Sequence, residues 1–206
     1  LEVTNYYLKA GKAYLQEKGC VIPHELTYLE GELMQQYLED IQIVQKFAAI
    51  NRAAILSEIV KGMKWKVQES YSCIHNYVES AETSYTGAPI IRKGAISAKK
   101  GEKVIIPVNM QTGIILGTGK GNDEWNQSAP HGAGRLYKRS DMKLQFTVSQ
   151  FKKAMKGIYS SCISEGTLDE APFAYRNLEN ILQVIGDTVD VDQVIHPIYN
   201  YKAGNE

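Results

Sequence analysis

Residues 29–71 read LEGELMQQYLEDIQIVQKFAAINRAAILSEIVKGMKWKVQESY, and the change of texture inside them decides the fold class. Apolar side chains recur at Leu33, Tyr37, Ile41, Val44, Ala48, Ile55, Ile59 and Met63, and neither Pro nor Gly interrupts them between Gly31 and Gly62. Steps of three to four residues predict one long helix from about Leu29 to Met63. Before it, an amphipathic piece from about Tyr6 to Gln16 predicts another helix, ending near Gly19 and Pro23. Beyond Lys64 the chain turns to short β-prone runs at residues 67–71, 88–92, 103–107 and 114–116, punctuated by Gly, Asn, Ser and Pro. Helical spacing returns at Val148, Phe151, Ala154, Met155 and Ile158 with Thr147 as N-cap, then again from Leu178 to Ile185. A closing strand is expected over residues 194–201. The order predicts an α+β fold in a single domain: an N-terminal helical segment (residues 1–64) followed by mixed β-sheets with flanking helices (residues 65–206).

At 206 residues and 44% hydrophobic composition, the chain is long enough to bury a core. Its 23 basic and 23 acidic residues cancel, so global charge selects no partner. The local distribution is uneven. Residues 92–103 carry five basic side chains against Glu102, residues 135–143 carry four against Asp141, and residues 165–192 carry seven acids against Arg176. The two basic segments could serve a polyanion, and on charge alone solvated loops are an equal reading. Cys20, Cys73 and Cys162 lie far apart in no metal-type spacing, the pattern of a reduced cytoplasmic protein. No apolar run approaches the ~18–20 residues of a membrane-spanning helix, so no membrane partner is expected. The chain starts at Leu1 rather than Met, and a piece of a longer polypeptide is expected on that ground.

The densest unusual stretch runs from Pro107 to Arg139, where Gly113, Gly117, Gly119, Gly121, Gly132 and Gly134 alternate with Asn and Ser. Glycines allow backbone N–H groups to converge on a phosphate, but ordinary tight turns explain the spacing equally well. Gly119-Lys120 is followed by Gly121 rather than Ser or Thr, which excludes a Walker loop; no dinucleotide fingerprint is present either. His131 stands between Pro130 and Gly132, outside any apolar period, with few side chains expected around it. An imidazole near its reference pKa of about 6.5 can act as base, ligand or nucleophile. Arg135 and Arg139 nearby make a phosphate the expected reaction partner. His75, His24 and His196, taken singly, read as structural.

Seven collinear pieces together closely resemble the RtcB-type RNA-splicing ligase family. They are His75-Asn76, Arg92-Lys93-Gly94-Ala95, Ile105-Ile106-Pro107-Val108-Asn109-Met110, Gly119-Lys120-Gly121-Asn122, Ser128-Ala129-Pro130-His131-Gly132-Ala133-Gly134-Arg135, Thr167-Leu168-Asp169-Glu170-Ala171-Pro172 and Pro197-Ile198-Tyr199-Asn200-Tyr201-Lys202-Ala203. The helical first third matches more loosely, through Ala48-Ala49-Ile50-Asn51-Arg52. The resemblance implies an RtcB-like fold and a GTP- and manganese-dependent ligase. Such an enzyme joins RNA 3′-phosphate or 2′,3′-cyclic phosphate ends to 5′-hydroxyl ends through a histidine–GMP intermediate. It implies His131 as nucleophile and His75 as a manganese (Mn2+) ligand. It further implies Asn76, Pro107, Val108, Asn109, Met110, His131, Gly132, Ala133, Gly134 and Lys202 as the guanylate pocket, and Arg135 and Arg139 as RNA-phosphate contacts. The Asp169-Glu170 pair is expected to shape a loop beside that pocket.

Departures from the family pattern narrow these expectations. Val108 stands where a glycine is common, and Ile114 where many members place a serine against the nucleotide. Family members are considerably longer, and their other metal ligands, a cysteine and two histidines in upstream glycine-rich motifs, have no counterpart here. One imidazole does not make a transition-metal site. The expected partners are therefore GTP, RNA ends, a missing N-terminal half and an archease-like activator. The alternatives are an inactive relative that binds nucleotide or RNA, and a protein-interaction module using the long helix. A fragment of this kind is expected to expose an unusually large apolar patch or to self-associate.

Overall fold

The computed structural model describes residues 2–201, which fall into two compact units dividing after Ser70. The first contains the two helices that the apolar spacing predicts, α1 (Glu2–Glu17) and α2 (Gly31–Met63). Tyr7 joins them. Its buried ring meets Tyr37 edge-on at 5.2 Å and its hydroxyl donates to Asp40 Oδ2 at 2.7 Å. Gly11 permits the close approach, since a Cβ there would lie 2.7 Å from Leu29 Cδ2. α2 stops at Lys64, which takes the left-handed φ of 54° that closes many helices. No strand forms at residues 67–71, contrary to the sequence reading: the first strand begins at His75. Val67 is 55% exposed and its neighbours are solvated, so no buried face favours extended pairing.

The second unit is built on two antiparallel three-stranded sheets. One has the order β1 (His75–Glu79), β2 (Ile90–Ser97), β5 (Ser128–Pro130). The other has the order β3 (Lys103–Asn109), β4 (Gly113–Gly119), β7 (Val189–Ile195). Strand β3 alternates as a half-buried strand should, with Val104, Ile106 and Val108 inward. They form one core with Ile96, Ala98, Ile115, Ala129 and Val189, covered by Ile181 and Ile185 of α5 (Leu178–Ile185). Burial of each large side chain contributes roughly 1.5–3 kcal/mol. A second core gathers Met110, Phe151, Met155, Cys162 and Leu168 beside α3 (Arg139–Gln145) and α4 (Val148–Ala154).

Thr147 caps α4 as predicted, in a reciprocal capping box with Gln150. The helix ends at Ala154 rather than Ile158, because the chain turns at Gly157 with φ +92°. The single closing strand expected over residues 194–201 is two strands, β7 and β8 (Tyr199–Asn200), the latter pairing in parallel with β6 (Tyr159–Ser160). Pro197 separates them, having no N–H for a ladder. Among the described residues, no helix is long and apolar enough to cross a membrane.

The glycines of β4 are explained by packing. A Cβ on Gly117 would lie 2.5 Å from Val189 Cγ1, and one on Gly119 would lie 2.4 Å from the Lys99 carbonyl oxygen. The N–H groups of Gly119, Lys120 and Gly121 donate to the carbonyls of Glu102, Thr188 and Ala98. For Gly117–Gly121, of the two readings, tight turns and close packing hold. The amides of Gly119, Lys120 and Gly121 are committed to these carbonyls and form no phosphate cradle.

Candidate active site

His131 follows the last residue of β5, and its loop is tied to both sheets. The His131 N–H donates to the Gly94 carbonyl of β2 at 3.4 Å, and the Ala133 N–H donates to the Pro107 carbonyl of β3 at 3.0 Å. Gly132 leaves room for that contact, since a Cβ would press the Pro107 oxygen at 3.3 Å. Gly134 holds a left-handed φ of +71°, where a side chain is strained, and its carbonyl accepts from the Arg176 N–H at 3.1 Å. Bulges flank the loop on both sides, between His75 and Tyr77 in β1 and between Pro107 and Asn109 in β3. Asn76 takes φ 64° at the first bulge, and its Oδ1 accepts the Gly94 N–H at 3.1 Å. Gly94 thus links His75-Asn76 to His131.

The imidazole of His131 is more enclosed than the sequence reading allows. Nδ1 and Nε2 are both buried without a hydrogen-bond partner. The His75 ring stands edge-on, 5.8 Å away between centroids. Burial, then the neighbouring His75 and Lys93, push the His131 pKa below the ordinary 6.5. Each disfavours the cation. The ring is therefore neutral at pH 7, with a free nitrogen lone pair.

This ring opens on a cavity of about 560 Å³. Pro107, Val108, Asn109 and Met110 form one wall and His131, Gly132, Ala133 and Gly134 another. Gly113, Ile114, Ile195, Pro197 and Asn200 continue the lining, and Arg135, Arg139, Glu170 and Tyr175 complete it. Asn200 is fixed by donating to the Met110 carbonyl at 2.6 Å. Val108, at 3% exposure, belongs mainly to the core, which accommodates its bulk in place of a glycine.

The charged end of the cavity is internally paired. Arg135 donates to the carbonyls of Tyr137 (3.3 Å) and Asp169 (2.5 Å) and to the Tyr175 hydroxyl (3.1 Å). Arg139, 71% exposed, lies 3.4 Å from Asp169 Oδ2 and 3.5 Å from Glu170 Oε1. Tyr175 donates to Glu170 Oε2 at 2.6 Å, and burial together with that bond pushes its pKa up to about 12. Asp169 and Glu170, within the turn Leu168–Glu170, thus shape this end of the cavity as expected and also anchor its arginines.

The His131 loop and the cavity it faces lie within the region that the sequence comparisons match. The family model for "tRNA-splicing ligase RtcB" fits residues 1–203. The chain belongs to the RtcB family. It is 30% identical over 215 residues to the RNA-splicing ligase RtcB of Escherichia coli K12, covering 98% of this chain and 52% of that protein. The tRNA-splicing ligase RtcB of Aeropyrum pernix is 28% identical over 218 residues, covering 89% of this chain and 45% of the relative. The chain therefore spans about half the length of these RtcB proteins.

Of the guanylate-pocket residues that the resemblance singles out, eight share the cavity: Pro107, Val108, Asn109, Met110, His131, Gly132, Ala133 and Gly134. Asn76 is not in its lining; its side chain is bonded to Gly94 behind the His131 loop. Lys202 lies outside the described residues. Arg135 and Arg139 reach the cavity but are held by internal partners. The sequence reading missed Tyr175, Ile195 and Lys93 as neighbours of the site. Only Lys93 had a signal, its place in the Arg92-Lys93-Gly94-Ala95 piece. A manganese site does not fit these residues alone: among those described, no three His, Cys, Asp or Glu side chains converge, and His75 is a single imidazole beside His131.

Proposed function

We propose that the chain is the nucleotide-transfer half of a GTP-dependent RNA ligase. It would join RNA 3′-phosphate ends to 5′-hydroxyl ends, a 2′,3′-cyclic phosphate first being opened by water, with cleavage of its bond to the 2′ oxygen, to give the 3′-phosphate. The observation that carries this reading is the His131 imidazole, buried, neutral and without a hydrogen-bond partner at the wall of the cavity. A ring nitrogen attacks the α-phosphorus of GTP and the N–P bond forms. The bond from that phosphorus to the bridging oxygen breaks, and pyrophosphate leaves with the electron pair. A phosphoramidate is labile enough to pass GMP to an RNA 3′-phosphate, which the 5′-hydroxyl oxygen then attacks, releasing GMP. The walls Pro107–Met110 and His131–Gly134 would hold the nucleotide, with Lys202 and Asn76 in support. Arg135 and Arg139 would meet RNA phosphate. In this reading His75 contributes one ligand to manganese, and the remaining ligands come from outside this chain. The unpaired cysteines go with a cytoplasmic setting.

Intact-mass measurement after incubation with GTP and Mn2+ tests the proposal. The expected result is an adduct of one GMP, absent in His131→Ala. The N-terminal half of a longer RtcB relative, supplied in trans, covers the case in which metal ligands are needed. No adduct under either condition sinks the ligase reading, and GTP binding without an adduct points instead to a nucleotide-binding relative.

A further inference from the structure

Arg135 is unusually well fixed for a cavity-lining arginine, and the fixing centres on one side chain that the proposed chemistry does not use. The Arg135 guanidinium carbon lies 5.0 Å from the centroid of the Tyr175 ring. The Tyr175 hydroxyl accepts from Arg135 Nη1 at 3.1 Å while donating to Glu170 Oε2 at 2.6 Å. The backbone matches this arrangement: Arg135 and Tyr175 form an isolated antiparallel bridge, so the two side chains leave adjacent points of paired chain. With Nε on the Tyr137 carbonyl and Nη2 on the Asp169 carbonyl, three of the five guanidinium N–H donors are committed. One N–H on each terminal nitrogen lies outside these three bonds, with Nη1 also 3.9 Å from Glu170 Oε1, and two terminal N–H groups are what a phosphate engages in bidentate fashion. The phenol is suited to the task because it offers an acceptor to the cation and a donor to the carboxylate at once.

We propose that Tyr175 is a positioning residue which, braced by Glu170, orients Arg135 at the cavity wall so that its terminal N–H groups grip the terminal phosphate of an RNA 3′ end. This rests on the reading of Arg135 as an RNA-phosphate contact. Tyr175 itself makes no contact with the reacting atoms. Its effect is confined to ligands that carry a terminal phosphate, which a general loss of folding would not reproduce.

The test is fluorescence anisotropy on the full chain at fixed salt. The probes are one short single-stranded oligoribonucleotide ending in a 3′-phosphate and the same sequence ending in a 3′-hydroxyl. The wild type is expected to prefer the 3′-phosphate, and Arg135→Ala to lose that preference. Tyr175→Phe keeps the ring and removes both hydroxyl bonds; it should weaken binding of the 3′-phosphate probe on the order of tenfold while leaving the 3′-hydroxyl probe nearly unchanged. Glu170→Gln retains an acceptor for the phenol and should fall between. In the Arg135→Ala background Tyr175→Phe should add nothing. Equal loss on both probes, or an undiminished effect without Arg135, overturns the positioning role. A wild type indifferent to the terminal phosphate overturns the reading of Arg135 itself, and the proposal with it. The wild-type arm and the variant arm thus separate the two failures.

Discussion

Replacing Glu79 by Ala should strongly destabilise the sheet in which His75 sits and from which the His131 loop leaves. Glu79 is 6% exposed and Arg92 2%, and the two form an ion pair inside the β1–β2–β5 sheet. Arg92 also donates to Ser128 Oγ at 3.1 Å, the Asn126 carbonyl at 2.9 Å and Tyr77 Oη at 3.4 Å. These partners are neutral, so Glu79→Ala leaves a buried cation without a countercharge, at a cost of ~3–5 kcal/mol. Lys99, the second cation on Glu79, has a side chain 39% exposed and can turn to water, so its loss adds at most ~1 kcal/mol. For a unit of this size each kcal/mol is worth roughly 3–5 °C, and the melting temperature should fall by ~10–20 °C.

Calorimetry on the chain and its variants measures this directly. Glu79→Leu with Arg92→Met, an apolar pair of similar volume, should recover most of the loss. Burial pushes the Glu79 carboxyl up, but Lys99 and Arg92 outweigh it and hold the group below its ordinary pKa. Its stabilisation is therefore complete above the unfolded value of about 4.3 and is lost as pH falls through the folded one. The gap between wild type and Glu79→Ala should close correspondingly in acid. A fall under ~5 °C at neutral pH, or a double variant no better than the single one, would refute the reasoning about Arg92.

Three further outcomes follow from the same structure. Because burial and its neighbours hold the His131 pKa below 6.5, the acid limb of GMP-adduct formation should have its midpoint below 6.5; a midpoint at or above it in a pH series would mean the ring is not desolvated. Ile43, Phe47 and Ile50 form one stripe of α2 and are 67%, 69% and 59% exposed, so light scattering should find self-association that Phe47→Glu with Ile50→Glu abolishes. A wild type that stays monomeric when concentrated would refute this. Thr147→Ala breaks the capping box of α4 and should cost about 1 kcal/mol in urea titration, with Thr147→Ser close to wild type, since a hydroxyl of either kind caps.

The elements most legible in the sequence are those whose stability is decided locally. The long α2, the Thr147 cap and α5 follow from apolar period and capping chemistry within a few residues. The core strands β3 and β4 are legible as well, because Val104, Ile106 and Ile115 are buried in any arrangement of such a sheet. The run at residues 67–71 has the same β-prone composition and forms nothing, since a strand is stabilised by a partner and a buried face that no short window contains. β1 fails in the opposite sense: residues 75–79 stand in none of the β-prone runs, yet they form a strand with a bulged start, set by its register with Ile96 and Arg92.

The site divides along the same line. The His131 loop is legible because its glycines and proline act where they stand, at a left-handed φ and a close carbonyl contact. Its electrostatics are set from a distance in sequence. His75, 56 positions earlier, helps to keep the imidazole neutral, and Asp169 and Glu170, more than 30 positions later, claim the arginines that local charge offers to a polyanion. A count of basic residues over 135–143 therefore overstates the field there. Arg139 arrives at the cavity paired with two carboxylates, and Arg135 is held mainly by neutral acceptors with Glu170 at 3.9 Å. In the proposed reading, phosphate recognition at this end rests on the geometry of Arg135 rather than on excess charge, so a neutral hydroxyl on Tyr175 would matter as much as a cation.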